Sequence, residues 1–140
     1  MITHSHQVRV YYEDTDAGGV AYHAAYLRFA ERARTEALRA AGLPHAAMLA
    51  EHGVMFMVRR VELEYLRPAR LDDLLTIRTE SVSATGATVT LRQEFFPEGM
   101  ALGAPIVVAR VLLVCVKAEG VKAAGTAARI PPRWRAALAA

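Results

Sequence analysis

Between Tyr22 and Ala41 the chain carries one long stretch of helical period, and the rest of its regular pattern is strand-like. Tyr26, Phe29, Ala30, Ala33, Ala37, Ala40 and Ala41 recur at spacings of three and four, while Arg28, Glu31, Arg32, Thr35 and Arg39 fall off that stripe. Gly42 and Pro44 then supply a stop. A stripe made so largely of alanine implies that the surface beneath the helix comes unusually close. Ahead of it, Gln7–Tyr12 alternates as a short strand with Val8, Val10 and Tyr12 on one side. Behind it come a short helical piece at His45–Glu51 and four strands, Val54–Leu66, Leu74–Val82, Thr88–Phe96 and Ala104–Val116, with Pro97–Gly103 as the last loop. The order β-α-β-β-β-β predicts an α+β chain, an antiparallel five-stranded sheet packed on one long helix. The nearly unbroken apolar character of the last strand predicts an interior position, covered on both faces.

One helix covers one face of such a sheet. Phe95 and Phe96 are adjacent and so point to opposite faces, as do Leu112 and Leu113. The second face therefore calls for a second copy of the chain, or for the tail after Val116, which Trp134 is expected to anchor as a terminal helix. The expected organisation is a single domain over 1–140, with a core of about 6–116 and a tail of 117–140.

Composition excludes several classes. With 54% hydrophobic and 22% charged residues, a real core forms and wholesale disorder is excluded. No apolar run approaches the roughly 20 residues of a spanning helix, so no membrane insertion is expected. The one cysteine, Cys115, has no partner for a disulfide, and the N-terminus shows no secretory pattern, which fits a reducing, cytoplasmic home. The net charge of +3 is mild and comes with no basic stripe, so nucleic acid is not an expected partner. All basic residues but Lys117 and Lys122 are arginines, the residue suited to bidentate contact with phosphate or carboxylate. His4-Ser5-His6, at an end expected to be mobile, is read as inert rather than metal-binding.

The chemistry-bearing stretch is Tyr11-Tyr12-Glu13-Asp14-Thr15-Asp16-Ala17-Gly18-Gly19-Val20-Ala21-Tyr22-His23. As a calcium loop counted from Asp14, it has Gly18 at position 5 and Ala25 at position 12, where acidic ligands belong, so no metal is expected. Turn and cap chemistry explains one aspartate before a helix, but less well three acids, a glycine pair and a histidine together. A catalytic reading uses the free N–H groups of the helix N-terminus for an oxyanion, Gly18 and Gly19 for close backbone approach to a carbonyl, and an acid as base or nucleophile. A non-hydrolytic acyl-binding module on the same scaffold fits the residues equally well. Arg59-Arg60, with Arg67 and Arg70, reads either as a solvated sheet edge or as contacts for the phosphates of a small molecule.

Val8 to Glu36 closely resembles the signature of the hotdog-fold acyl-CoA thioesterases, nearest the Tol-Pal-associated YbgC family within the 4-hydroxybenzoyl-CoA thioesterase group. Met57-Val58-Arg59-Arg60 and Glu64 to Asp73 also resemble it, and the likeness runs from about Val8 to Val116. The resemblance implies a sheet wrapped round one central helix, and a homodimer or homotetramer with sites at subunit boundaries. It further implies hydrolysis of acyl-CoA or acyl carrier protein thioesters without metal or organic cofactor. By position, Asp16 is the implied catalytic carboxylate, His23 and Tyr12 stand where site residues stand, and the His23 N–H is the implied carbonyl-polarising group. Ala21 and Ala25 depart from the usual valine and asparagine or serine, which points to altered pocket volume.

Overall fold

The structure, a computed structural model, describes residues 1–99, 104–118 and 126–139, so Lys122 and part of the 97–103 loop lie outside the described residues. Strand β1 is Thr3–Arg9, followed by a 3-10 turn at Tyr12–Asp14 and then helices α1 (Ala25–Ala40) and α2 (His45–His52). Strands β2 (Val54–Tyr65), β3 (Leu74–Ala84), β4 (Thr88–Pro97) and β5 (Val107–Lys117) follow, and helix α3 (Pro132–Leu138) ends the chain. The strands form one antiparallel sheet in the order β1-β3-β4-β5-β2. The expected α+β architecture is borne out, with α2 and α3 as short additions to the long helix. Among the described residues no helix is long and apolar enough to cross a membrane.

The first strand lies earlier than expected. Thr3 to Arg9 pair with β3, His4 opposite Thr79 and His6 opposite Ile77, so the histidines belong to the sheet and not to a loose end. Past Val10 the ladder stops, because the Val10 N–H turns to the Asp73 carbonyl (2.9 Å) and the Val10 carbonyl accepts from Asp72 N–H (2.9 Å). Tyr12 consequently leaves the strand and is 82% exposed in the turn.

Helix α1 lies on one face of the sheet through Tyr26, Phe29, Ala30, Ala33, Ala37 and Leu38, all buried. Ala40 and Ala41 are exposed instead, because the helix stops and Leu43 N–H folds back onto the Leu38 carbonyl (2.9 Å). Below the alanines the sheet does come close: buried Gln93 of β4 donates through Nε2 to the Ala30 carbonyl (2.9 Å) and to Thr79 Oγ1 (2.9 Å). Around it, Leu75, Ile77, Leu91, Phe95 and Val111 are buried, each contributing about 1.5–3 kcal/mol relative to exposure.

The other face of the sheet departs from the apolar surface expected of it. Registered neighbours across four strands are Glu80, Arg92, Arg110 and Glu62, with Arg78 opposite Glu94 in the next row. Such cross-strand pairs keep a face wet. Val108, Leu112 and Val114 of β5 are half-buried there, so this interior strand is less covered than expected. The described part of the tail is occupied elsewhere. Trp134 is fully buried and its indole N–H donates to the Leu43 carbonyl (3.0 Å), while Leu138 belongs to the same buried cluster as Ile2, Leu91 and Leu113. Trp134 thus anchors a terminal helix as expected, but in the helical layer, beyond the end of α1. The core takes in Ile2, Ile130, Trp134 and Leu138, wider than the 6–116 span.

Candidate functional site

The stretch from Asp14 to Tyr22 forms a small hairpin between β1 and α1. Thr15 pairs with Ala21, Tyr22 N–H donates to the Asp14 carbonyl (2.7 Å), and Asp16 N–H to the Val20 carbonyl (3.0 Å). At its tip Gly19 N–H returns to the Asp16 carbonyl (3.0 Å) with φ of +75°, a conformation that favours glycine. Gly18 N–H donates to Asp16 Oδ1 (2.8 Å), and a Cβ on Gly18 would stand 3.2 Å from that oxygen. The glycines therefore position a carboxylate and close the turn around it.

The aspartates divide the labour. Asp14 is buried: Oδ2 accepts from Tyr11 N–H (2.9 Å) and Oδ1 pairs with Arg28 on the first turn of α1 (3.3 Å). Asp16 is exposed at the tip, with one oxygen held by Gly18 and no cation within 4.0 Å among the described residues. Asp14 ties the hairpin to the helix; Asp16 is left available.

The hairpin delivers the chain into α1 through His23 and Ala24. Ala24 is the N-cap, so no side chain claims the free N–H groups, and no acid stands in the first turn. Among the described residues neither the His23 nor the Ala24 N–H donates to a backbone carbonyl. This end of the helix is thus uncapped and electropositive, an arrangement suited to a developing oxyanion. The exposed His23 ring leans on Tyr22, centroids 4.4 Å apart.

Two tyrosines frame this corner. Tyr65, ending the inward row of β2, donates its hydroxyl to the His23 carbonyl (2.7 Å) and packs edge-on against Tyr26 at 5.5 Å. Tyr26 accepts from Ala69 N–H (3.1 Å). Desolvation pushes both phenols above their ordinary value, so they stay protonated. A hollow of about 260 Å³ beside them is lined by Ala21, His23, Tyr26, Tyr65 and Arg67. The β2–β3 loop closes its back: Ala21 N–H donates to Ala69 (2.8 Å) and Val20 bridges Arg70.

Of the residues singled out beforehand, Asp16, Gly18 and Gly19 belong to this one hairpin, His23 follows it at the entry to α1, and Tyr12 stands in the turn before it. Arg59 and Arg60 lie elsewhere, exposed on the edge strand β2, with Arg59 at a bulge. At about 3.3 Å per residue, Arg60 stands roughly 17 Å before the Tyr65–His23 contact. Within one chain Arg67 lines the hollow, and Arg70 bridges Val20 of the hairpin. Three contributors were not read as such: Asp14 as the anchor, Tyr65 as the strut under His23, and Ala24 as a cap that caps nothing. The last was legible, since alanine is a poor N-cap; the Arg28 and Tyr65 contacts are tertiary.

The thioesterase superfamily profile matches residues 18–104. The acyl-CoA thioester hydrolase YbgC of Escherichia coli is 50% identical over 78% of this chain and 78% of its own. The acyl-CoA thioesterase YbgC of Haemophilus influenzae is 45% identical over 80% and 79%. The crystal structure of a probable thioesterase from Bartonella henselae superposes with a TM-score of 0.80 at 35% identity, covering 92% of this chain and 99% of that one. A 4-hydroxybenzoyl-CoA thioesterase shares the fold at 18% identity, with a TM-score of 0.87 over 99% and 100% of the two chains. Sequence and fold agree over most of the length, and the chain belongs to the thioesterase superfamily, alongside the YbgC proteins of Escherichia coli and Haemophilus influenzae.

Proposed function

We propose that the protein hydrolyses acyl-CoA thioesters at the hairpin–helix junction, with Asp16 supplying the attacking or proton-accepting oxygen. The observation that carries this reading is the pairing, on one hairpin, of an exposed carboxylate without a cation and an uncapped helix N-terminus. The thioester carbonyl oxygen takes the N–H groups of His23 and Ala24, which stabilise the charge that develops as the carbonyl is attacked. Asp16 acts in one of two balanced ways. It removes a proton from water as the water oxygen adds to the carbonyl carbon, or it adds directly and gives an anhydride that water then opens. In both, the C–S bond breaks, the thiolate leaves and takes up a proton, and a carboxylic acid remains. The His23 ring and Tyr12 line the approach to this junction. A single turnover in oxygen-18 water tests for direct attack with opening at the Asp16 carbonyl, which leaves the label in the Asp16 carboxylate and the released acid unlabelled, whereas the general-base route labels the acid.

Coenzyme A brings phosphates, and in the same chain Arg67 lines the hollow while Arg70 pairs with Val20 on the hairpin. Arg59 and Arg60 enter this reading through a second copy. Strand β2 is a 12-residue edge with Met55, Met57 and Val58 exposed, a surface that invites pairing. Two β2 edges joined antiparallel would place Arg59 and Arg60 at the junction, along the path of a coenzyme A tail crossing it. The test is thiol release from a panel of acyl-CoA and acyl carrier protein thioesters, with light scattering on the same sample. Turnover by a dimer or tetramer supports the reading. Binding of acyl-CoA without thiol release would contradict the catalytic claim, and a stable mass near 15.3 kDa would contradict the paired one.

A further inference from the structure

Under the second half of α1 lies a cavity of about 400 Å³, separate from the hollow beside His23. Its walls are mainly aliphatic, with Leu38 from α1, Met55 from β2, Leu91 from β4, Leu113 from β5 and Leu138 from α3. A slot so lined takes a hydrocarbon chain. Arg34 interrupts it. This guanidinium is half-buried, and burial pushes its pKa down while the charge of Glu31 draws it up. Nη1 donates to Gln93 Oε1 (3.1 Å), and no carboxylate lies within 4.0 Å among the described residues.

Gln93 is a holder here and not a counter-ion. Its amide nitrogen is committed to Ala30 and Thr79, which fixes Oε1 toward Arg34. Glu31, one turn earlier, is exposed at the cavity mouth. His45 stands on the wall with its pKa lowered by burial, hence neutral at pH 7. A guanidinium offers five donors, and here one contact, to Gln93, leaves others available to a ligand. Its strongest available use is a bidentate bond to a carboxylate.

Resting on the thioesterase reading above, we propose that Arg34 recognises a carboxylate at the far end of the acyl group, so that the favoured substrates are ω-carboxyacyl thioesters. The spacing suits this. Gln93 reaches the Ala30 carbonyl, which sets the Arg34 guanidinium level with that turn, about 10 Å along the helix from the free N–H groups at 1.5 Å per residue. Leu27 and Glu31, both exposed, lie between Arg34 and His23 on one side of the helix. A medium-length diacid monothioester spans that distance.

The test compares kcat/KM for adipoyl-CoA and hexanoyl-CoA, which differ at the distal end, in the wild type, Arg34→Met and Arg34→Lys. A charge-assisted pair of this kind predicts about a tenfold to hundredfold wild-type preference for adipoyl-CoA. Arg34→Met removes that preference while hexanoyl-CoA turnover holds, and Arg34→Lys keeps part of it. A wild-type preference for hexanoyl-CoA overturns the proposal, as does an equal fall on both substrates in Arg34→Met, the mark of a purely structural clamp on Gln93. If Arg34→Met does not fold, the wild-type ratio and Arg34→Lys decide. Hydrolysis of neither substrate refutes the thioesterase reading instead. Calorimetry with the non-hydrolysable adipoyl-CoA thioether then decides on Arg34: tighter binding than the hexanoyl thioether supports it, and equal or weaker binding overturns it.

Discussion

The two ends of α1 are built on opposite terms. At the N-terminus the helix is uncapped, its neighbours are exposed, and an aspartate stands with one oxygen free. Beyond its C-terminus Leu43, Met48, Trp134 and Leu138 are all buried, and the indole N–H claims the Leu43 carbonyl. One end forgoes a cap, a feature typically worth about 1 kcal/mol, and keeps its polar groups available. The other end uses apolar burial to hold the helix against the sheet. Stability and chemistry are therefore carried by different segments, and substitutions at the two ends should separate them.

The largest effect is expected at the packed end. Trp134→Ala removes a fully buried indole and should cost about 3–5 kcal/mol in denaturant unfolding, with thiol release per folded molecule little changed. Next comes Asp14→Ala, which strands the Tyr11 N–H and frees Arg28; about 1–3 kcal/mol should be lost, and turnover should fall with it because the hairpin loosens. Retained turnover in Asp14→Ala would show that the hairpin does not need its anchor. His23→Ala keeps the main-chain N–H, so a roughly tenfold drop in kcat with an unchanged melting temperature is expected. A loss of several thousandfold would instead make the ring a principal catalyst.

The smallest expected effect is a pH dependence on neither end but on β1. His6 is half-buried against α1, and its pKa is lowered, chiefly by burial, with Glu36 raising it and His4 and Arg32 lowering it. The unfolded chain then takes up the proton first. Stability is full above the ordinary value of 6.5 and declines as pH falls through it, levelling below the folded value. Thermal melts from pH 8 to 5 should show this decline, and His6→Gln should flatten it.

Sequence pattern foretold most of the frame. The stripe from Tyr26 to Ala37, the stop at Gly42 and the four later strands are local signals, and alanine correctly announced a close surface, met as Gln93 against Ala30. What pattern could not show depends on contacts between distant segments. His4 and His6 join the sheet only because β3 offers them a ladder. The wet outer face follows from register, which sets Glu80 beside Arg92 and Arg110 beside Glu62. At the site, motif spacing pointed to Asp16 and His23, yet the different duties of Asp14 and Asp16 emerge only when Arg28 closes on one of them.

The most direct test of the account is Asp16→Asn, assayed by thiol release from acyl-CoA beside a thermal melt. The amide keeps the shape and can still accept from Gly18 N–H, but loses the basic oxygen. The account predicts a fall in kcat of about 100-fold or more with the melting temperature unchanged. Near-wild-type turnover in a folded Asp16→Asn protein would contradict it and move the chemistry to another group.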